Sequence, residues 1–196
     1  MNQTKEFFDA LAPKWDEGQE AKEGFILSLL RQIGIQKGDR VLDLACGTGV
    51  ITGHLHDLSG EDVLGLDLSS KMIEIAKKKY EGKGWAHFEE GDFLSWGKEE
   101  RFDVIVLYNA YPHFLDPKRL SACLAKHLKD GGKFAIVHSL GRKKLDEHHA
   151  NVPGNISRSL LPPKEEASFF RGDFDVFLQK EGEDFYLLAG AKSKAE

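Results

Sequence analysis

The sequence predicts an α/β fold in which a mostly parallel sheet is flanked by helices and closed by an antiparallel hairpin. Three observations predict it. Beyond Lys37-Gly38-Asp39, short apolar runs alternate with longer stretches of helical period, the pattern that βαβ units leave in a sequence. A glycine turn, Gly47-Thr48-Gly49, directly follows the first of these runs. At the far end two strand-like runs flank Glu181-Gly182-Glu183-Asp184, a link suited to antiparallel neighbours.

In chain order, Phe7, Phe8, Leu11 and Trp15 recur at helical spacing and predict an amphipathic helix over 3–15 that Pro13 bends or shortens. Phe25, Ile26, Leu29, Leu30 and Ile33 predict a second helix over 20–33, ended by Gly34. Strands are expected near 40–44, 63–67, 86–90, 104–108 and 133–139, with helices near 49–58, 69–80 and 117–128. Ser69 and Asp116 are natural N-caps, the second followed by Pro117 at the first helical position. Asp130-Gly131-Gly132 reads as the stop of the last of these helices, capped in the left-handed region. Residues 140–171 lose strand character and read as an insertion over the active face, helical in part near 164–170. Strands over 175–180 and 185–192 complete the count at seven.

A chain of 196 residues fits one domain, 1–196, with 1–36 as an N-terminal helical cap. Hydrophobic residues at 41% and charged residues at 30% suit a globular protein rather than a disordered one. The net charge of −5 gives no electrostatic ground for a nucleic-acid partner, and the basic runs Lys77-Lys78-Lys79 and Arg142-Lys143-Lys144 read as solvated faces. Cys46 and Cys123 form neither a disulfide framework nor a metal-ligand spacing. With no apolar leader or membrane span in the pattern, a cytoplasmic setting is expected.

The stretch Val41-Leu42-Asp43-Leu44-Ala45-Cys46-Gly47-Thr48-Gly49 reads as buried strand, glycine turn and helix start. Glycines allow a sharp turn and close approach of a ligand, and the first N–H groups of the next helix point into the same crevice. Asp67 ends the neighbouring strand, where a carboxylate accepts hydrogen bonds from the two hydroxyls of a ribose. The crevice therefore suits a nucleoside-containing cofactor.

With these residues in place, the chain resembles the class I S-adenosylmethionine-dependent methyltransferases over most of its length. VLDLACGTG is similar to that family's glycine-rich motif and Gly65-Leu66-Asp67-Leu68-Ser69 to its second motif. Gly91-Asp92-Phe93, Phe102-Asp103-Val104-Ile105-Val106 and Leu128-Lys129-Asp130-Gly131-Gly132-Lys133 match the elements that follow, and residues 7–16 resemble a helix that many small members fold over the cofactor. The resemblance implies a Rossmann-like, doubly wound sheet of seven strands with helices on both faces. It implies S-adenosylmethionine as cofactor and S-adenosylhomocysteine as product. Asp43, Ala45, Gly47 and Gly49 would then surround the methionine portion, Asp67 the ribose, and Leu68 and Met72 the adenine. Asp92 would accept from the adenine amino group beside Phe93, and Asn109 would face the sulfonium. Cys46 reads as a small packing residue.

The cofactor's methyl is already activated, so the protein has mainly to hold an acceptor in line and, for some acceptors, take its proton. Candidates lie past the fourth and fifth strands, because ligands of open α/β sheets bind beyond the strands' carboxyl ends. His113 or His138 is expected to act as general base, with Trp15, Tyr111, His148 and His149 as further substrate contacts. A sharper version has His113, His138 and one of His148 or His149, beside Glu147, binding a divalent metal, although the spacing matches no established metal motif. The acceptor is expected to be a small molecule. Two alternatives stand beside this reading. One is a catalytically silent, methyltransferase-like binding protein. The other is an NAD-dependent oxidoreductase, against which the third glycine, Gly53, falls one residue late for G-x-G-x-x-G.

Overall fold

The computed structural model describes residues 3–17, 23–150 and 152–193. Packing divides the chain into two compact units, Met1–Lys98 and Glu99–Glu196.

In the first unit, α1 (Gln3–Leu11) gives way to a 3₁₀ turn, Ala12–Lys14, because Pro13 cannot continue the helical hydrogen bonding. The second helix, α2 (Glu23–Leu30), tightens into the turn Arg31–Ile33 and stops at Gly34, where φ is 75°. Its expected start at Glu20 lies outside the described residues. Three parallel strands follow: β1 (Val41–Leu44), β2 (Val63–Asp67) and β3 (Ala86–Glu90), with Val41 opposite Val63 and Val63 opposite Ala86. Between them run α3 (Thr52–Ser59) and α4 (Ser70–Lys79). Every β1 residue is buried, as a central parallel strand requires. Helix α3 starts three residues later than the sequence predicts, because Gly49 is left-handed at φ 79° and the chain is still turning there. Ser69 caps α4 as expected, its hydroxyl accepting the Met72 N–H at 3.1 Å.

The second unit holds β4 (Phe102–Tyr108), α5 (Pro117–His127), β5 (Leu128–His138), α6 (Arg142–His149), α7 (Pro163–Glu166), β6 (Phe174–Glu181) and β7 (Tyr186–Lys192). Asp116 caps α5 by accepting the Arg119 N–H at 3.0 Å. One boundary differs from expectation. The helix ends at His127 rather than at Asp130-Gly131-Gly132, and fully buried Leu128 already pairs with Phe102. The next pair is Val104 with Lys133, so 129–132 bulge out of register, which Gly131 permits at φ 73°. Strand β7 runs antiparallel to both β5 and β6, forming the expected closing hairpin. Helix α6 falls in the stretch whose conformation the sequence left open, and Leu145 is its one buried residue.

The strand order is β3-β2-β1-β4-β5-β7-β6, a mixed sheet, mostly parallel and antiparallel at its C-terminal end, with helices around it. No helix among the described residues is long and apolar enough to cross a membrane.

Candidate cofactor cradle and histidine cluster

In the first unit the expected cofactor residues gather at the end of β1. Ala45, Gly47 and Gly49 all have left-handed backbones, at φ 55°, 55° and 79°. For Ala45 this is strain that only the tight turn imposes. The Gly47 N–H donates to Asp67 Oδ2 at 2.8 Å, and the Ser69 N–H donates to Asp67 Oδ1 at 2.8 Å. Asp67 thereby ties the glycine turn to the start of α4. Burial raises its carboxyl above the ordinary range, and the two N–H donors work against that rise.

Asp43 is 1% exposed. Its Oδ2 accepts the Thr52 hydroxyl at 2.6 Å, while Oδ1 is buried with no hydrogen-bond partner among the described residues. Burial, opposed by the Thr52 hydrogen bond and reinforced by the Asp67 charge, pushes the carboxyl up to about 7. A buried acceptor left unpaired costs about 1–3 kcal/mol, so this oxygen calls for a donor, above all a cationic one.

The glycines play different parts. A Cβ on Gly47 would lie 3.3 Å from Trp15 Nε1 and 3.9 Å from Met72 Sδ, so the two candidates Trp15 and Met72 both border this turn. A Cβ on Gly49 would lie 2.9 Å from Tyr80 Cε2, so this glycine makes room for a packed ring. The Cys46 thiol sits in an apolar cluster with Ile73, Ala76 and Phe88, and burial pushes it well above its ordinary range. It is a packing residue, as expected.

The N-terminal segment is pinned to the cradle by residues that carry no sequence signal for it. The Thr48 hydroxyl donates to Asp16 Oδ1 at 2.5 Å, and Lys79 pairs with Asp16 at 2.7 Å. Asp9 accepts from the Ser69 hydroxyl at 2.5 Å, and Lys5 donates to the Leu68 carbonyl at 3.3 Å. Asp92 is exposed and caps the turn Phe93–Ser95, accepting the Leu94 N–H at 3.0 Å, while Phe93 is buried against Trp96.

In the second unit, Asn109 ends β4 in the left-handed region at φ 51°. Its Oδ1 accepts the Ser139 N–H at 3.0 Å and its Nδ2 donates to Ser139 Oγ at 3.1 Å, which Tyr108 also reaches at 2.9 Å. This network fixes the ends of β4 and β5 together. His113 Nδ1 donates to the Ile156 carbonyl at 3.0 Å, which sets the tautomer with Nε2 as the basic nitrogen. Its ring stands 5.3 Å from that of His149. Burial pulls His113 down to about 4. His138 is fully buried, neither ring nitrogen has a partner among the described residues, and burial pulls it down to about 3.

Two expectations, on Tyr111 and on the metal set, need correction. Tyr111 is not open to a substrate: it is fully buried, and its hydroxyl donates to Glu166 Oε2 at 2.6 Å. Of the two adjacent histidines, both expected as substrate contacts, His148 is exposed and His149 is the one whose ring meets His113. The metal set His113, His138 and His148 does not assemble: no three His, Cys, Asp or Glu side chains among the described residues are grouped to hold a metal ion. Sequence reasoning also missed Arg158 and Glu166. Buried Glu166 and part-buried Arg158 form a bidentate pair at 2.7 and 3.1 Å, which anchors the inserted stretch.

A mostly parallel sheet, a strained glycine turn after the first strand and an acid closing the second together define a Rossmann-like fold built to receive a nucleoside-containing cofactor. The family profile described as a methyltransferase domain matches residues 41–132. The sterol 24-C-methyltransferase of Saccharomyces cerevisiae is 33% identical over 138 residues, 65% of this chain and 36% of that one. The ubiquinone/menaquinone biosynthesis C-methyltransferase of Teredinibacter turnerae is 28% identical over 163 residues, 74% of this chain and 65% of that one. This chain spans between a third and a half of its more similar curated relatives. Among solved structures, a chain from the Haloferax volcanii complex of the Trm112 methyltransferase activator with a methyltransferase superposes with a TM-score of 0.76 at 21% identity, covering 95% of this chain and 97% of that one. The DhpI complex with S-adenosylhomocysteine gives 0.76 at 19% identity, covering 97% and 96%. At such identities these two show a shared fold. Over residues 41–132, a little under half of its length, the chain is similar to the methyltransferase-domain family.

Proposed function

We propose that this chain binds S-adenosylmethionine and transfers the methyl group from its sulfonium to a small-molecule acceptor, releasing S-adenosylhomocysteine, with residues 1–196 acting as one catalytic domain. The observation that carries the reading is the buried, unpartnered Asp43 Oδ1 beside a left-handed glycine turn. The methionine portion of the cofactor ends in an ammonium group, the kind of donor that oxygen lacks. The residues therefore fit the cofactor.

When bound, S-adenosylmethionine supplies a methyl group on a sulfonium, a donor that needs no further activation. Asp43, Ala45, Gly47 and Gly49 hold the methionine portion. Each Asp67 oxygen accepts one backbone N–H and keeps a second lone pair for a ribose hydroxyl. Leu68, Met72, Asp92 and Phe93 border the adenine, and Asn109 serves the methyl end. His113, half-buried and neutral at pH 7, is the candidate proton acceptor for the substrate, whereas the fully buried ring of His138 is closed to it as Tyr111 is. The sterol and quinone-pathway names of the relatives support a small-molecule acceptor.

The test combines calorimetric titration with S-adenosylmethionine, S-adenosylhomocysteine and NADH with transfer of a labelled methyl group into the small-molecule fraction of a cell extract. Binding of both adenosyl compounds plus label incorporation is expected. Binding without incorporation into any fraction would leave a silent binding protein, and binding of NADH alone would overturn the proposal.

A further inference from the structure

The N-terminus of α3 has no cap of the usual local kind. Ile51 stands at the N-cap position and supplies no side-chain acceptor, so the first N–H groups of the helix depend on outside partners. Tyr80, just past the far end of α4, provides one. Its hydroxyl oxygen accepts the Gly53 N–H at 3.0 Å, and its hydroxyl hydrogen goes to the Gly49 carbonyl at 2.8 Å. One phenol thus bridges the glycine turn and the helix start. The ring is held in turn by Phe88 at 5.4 Å and Trp85 at 5.6 Å, and its edge fills the space where a Gly49 Cβ would stand. Burial, reinforced by the charges of Asp43 and Asp16 and opposed by the Gly53 hydrogen bond, keeps the phenol protonated, so it retains both its donor and its acceptor role.

We propose that Tyr80 is a positioning residue for the amino-acid end of the cofactor, fixing the glycine turn against the first turn of α3 without touching the ligand. The inference rests on the reading that the turn between Asp43 and Gly49 receives the methionine portion. Tyr80→Phe keeps the ring packing and removes only the two hydrogen bonds, so the turn loosens while β2, β3 and the adenosine side of the cradle keep their contacts.

The experiment is calorimetric titration of wild type and Tyr80→Phe with S-adenosylhomocysteine and with 5′-methylthioadenosine, which lacks the amino-acid portion. Loss of two hydrogen bonds at the turn should weaken S-adenosylhomocysteine about five- to tenfold. The affinity for 5′-methylthioadenosine should change less than about twofold, since it spans none of the affected contacts. A role confined to stability would weaken both ligands alike, and that result, or no change in either, overturns the proposal. Amide hydrogen exchange on the wild-type protein tests it without any variant. Gly53 should be protected like an interior helical amide, and exchange as fast as its first-turn neighbours would refute the bridge. If wild type binds neither ligand, the cofactor reading fails instead.

Discussion

Replacing His138 with leucine should flatten the acid limb of the protein's stability curve. In the folded chain His138 is fully buried with both nitrogens unpartnered among the described residues, and burial pulls its pKa down to about 3. In the unfolded chain the ring titrates near its ordinary value of about 6.5. Between the two values the unfolded state holds a proton that the folded state refuses. The stability tied to His138 is therefore intact above about 6.5 and drains away as pH falls through that window. At pH 5 the folded ring is still neutral, so the loss depends only on the unfolded value and amounts to about 2 kcal/mol, against about 0.1 kcal/mol at pH 7.5. Asp43 works in the opposite direction, because its carboxyl is raised to about 7 and gains stability on acidification. That contribution is present in both proteins and cancels in their difference, provided the two sites are independent. Urea denaturation at pH 7.5 and pH 5.0 gives the comparison. Wild type should lose about 2 kcal/mol more than His138→Leu across that interval, or about 4–8 °C in midpoint for a chain of this size. At pH 7.5 the leucine variant should match or exceed wild type, since two unsatisfied polar atoms leave the interior. Equal acid losses in the two proteins, within about 0.5 kcal/mol, would show that the imidazole is paired or ionised in the fold, and the reasoning would fail.

Gly47→Ala places a Cβ in a left-handed backbone and 3.3 Å from Trp15 Nε1; a loss of about 1–2 kcal/mol in urea denaturation is expected, with weaker S-adenosylhomocysteine binding by calorimetry. Glu166→Gln removes the carboxylate that accepts from Arg158, Tyr111 and the Leu161 N–H, leaving the part-buried guanidinium without its counter-charge; unfolding measurements should show a loss of about 1.5–3 kcal/mol. Asp43→Asn removes a carboxyl whose folded pKa is raised, so the stability wild type loses as pH rises through about 7 should be absent from the variant in denaturation series from pH 6 to 8.5. The same variant should bind S-adenosylhomocysteine more weakly than wild type.

The parallel half of the fold was legible because each strand is short, apolar and bounded by turn residues. The bounds expected for β2 and β3 are those observed, and Ser69 and Asp116 cap the helices that the sequence assigns to them. Local signals failed where burial outweighed them. Asp130-Gly131-Gly132 carries good helix-stop chemistry, yet Leu128 is drawn into the sheet opposite Phe102 and the glycines serve a bulge instead. Helix α6 offers almost no apolar period to read, since Leu145 alone is buried. Within the site, the turn Gly47–Gly49 and its partner Asp67 announce themselves by spacing. Tyr80, Asp16 and Glu166 do not, because each acts on residues distant in sequence, and a single tyrosine or carboxylate has no periodicity to betray its partner. Tyr111 illustrates the converse: a polar aromatic beyond a strand end suggests substrate contact, but its hydroxyl is spent inside on Glu166.

Cofactor binding at the glycine turn is tested most directly by titrating wild type and Asp67→Ala with S-adenosylhomocysteine in a calorimeter. Wild type should bind one equivalent, and the variant, stripped of the carboxylate that meets the Gly47 and Ser69 N–H groups, should lose most of that affinity while still melting cooperatively. Undiminished binding by a folded Asp67→Ala protein, or no binding by wild type, would contradict it.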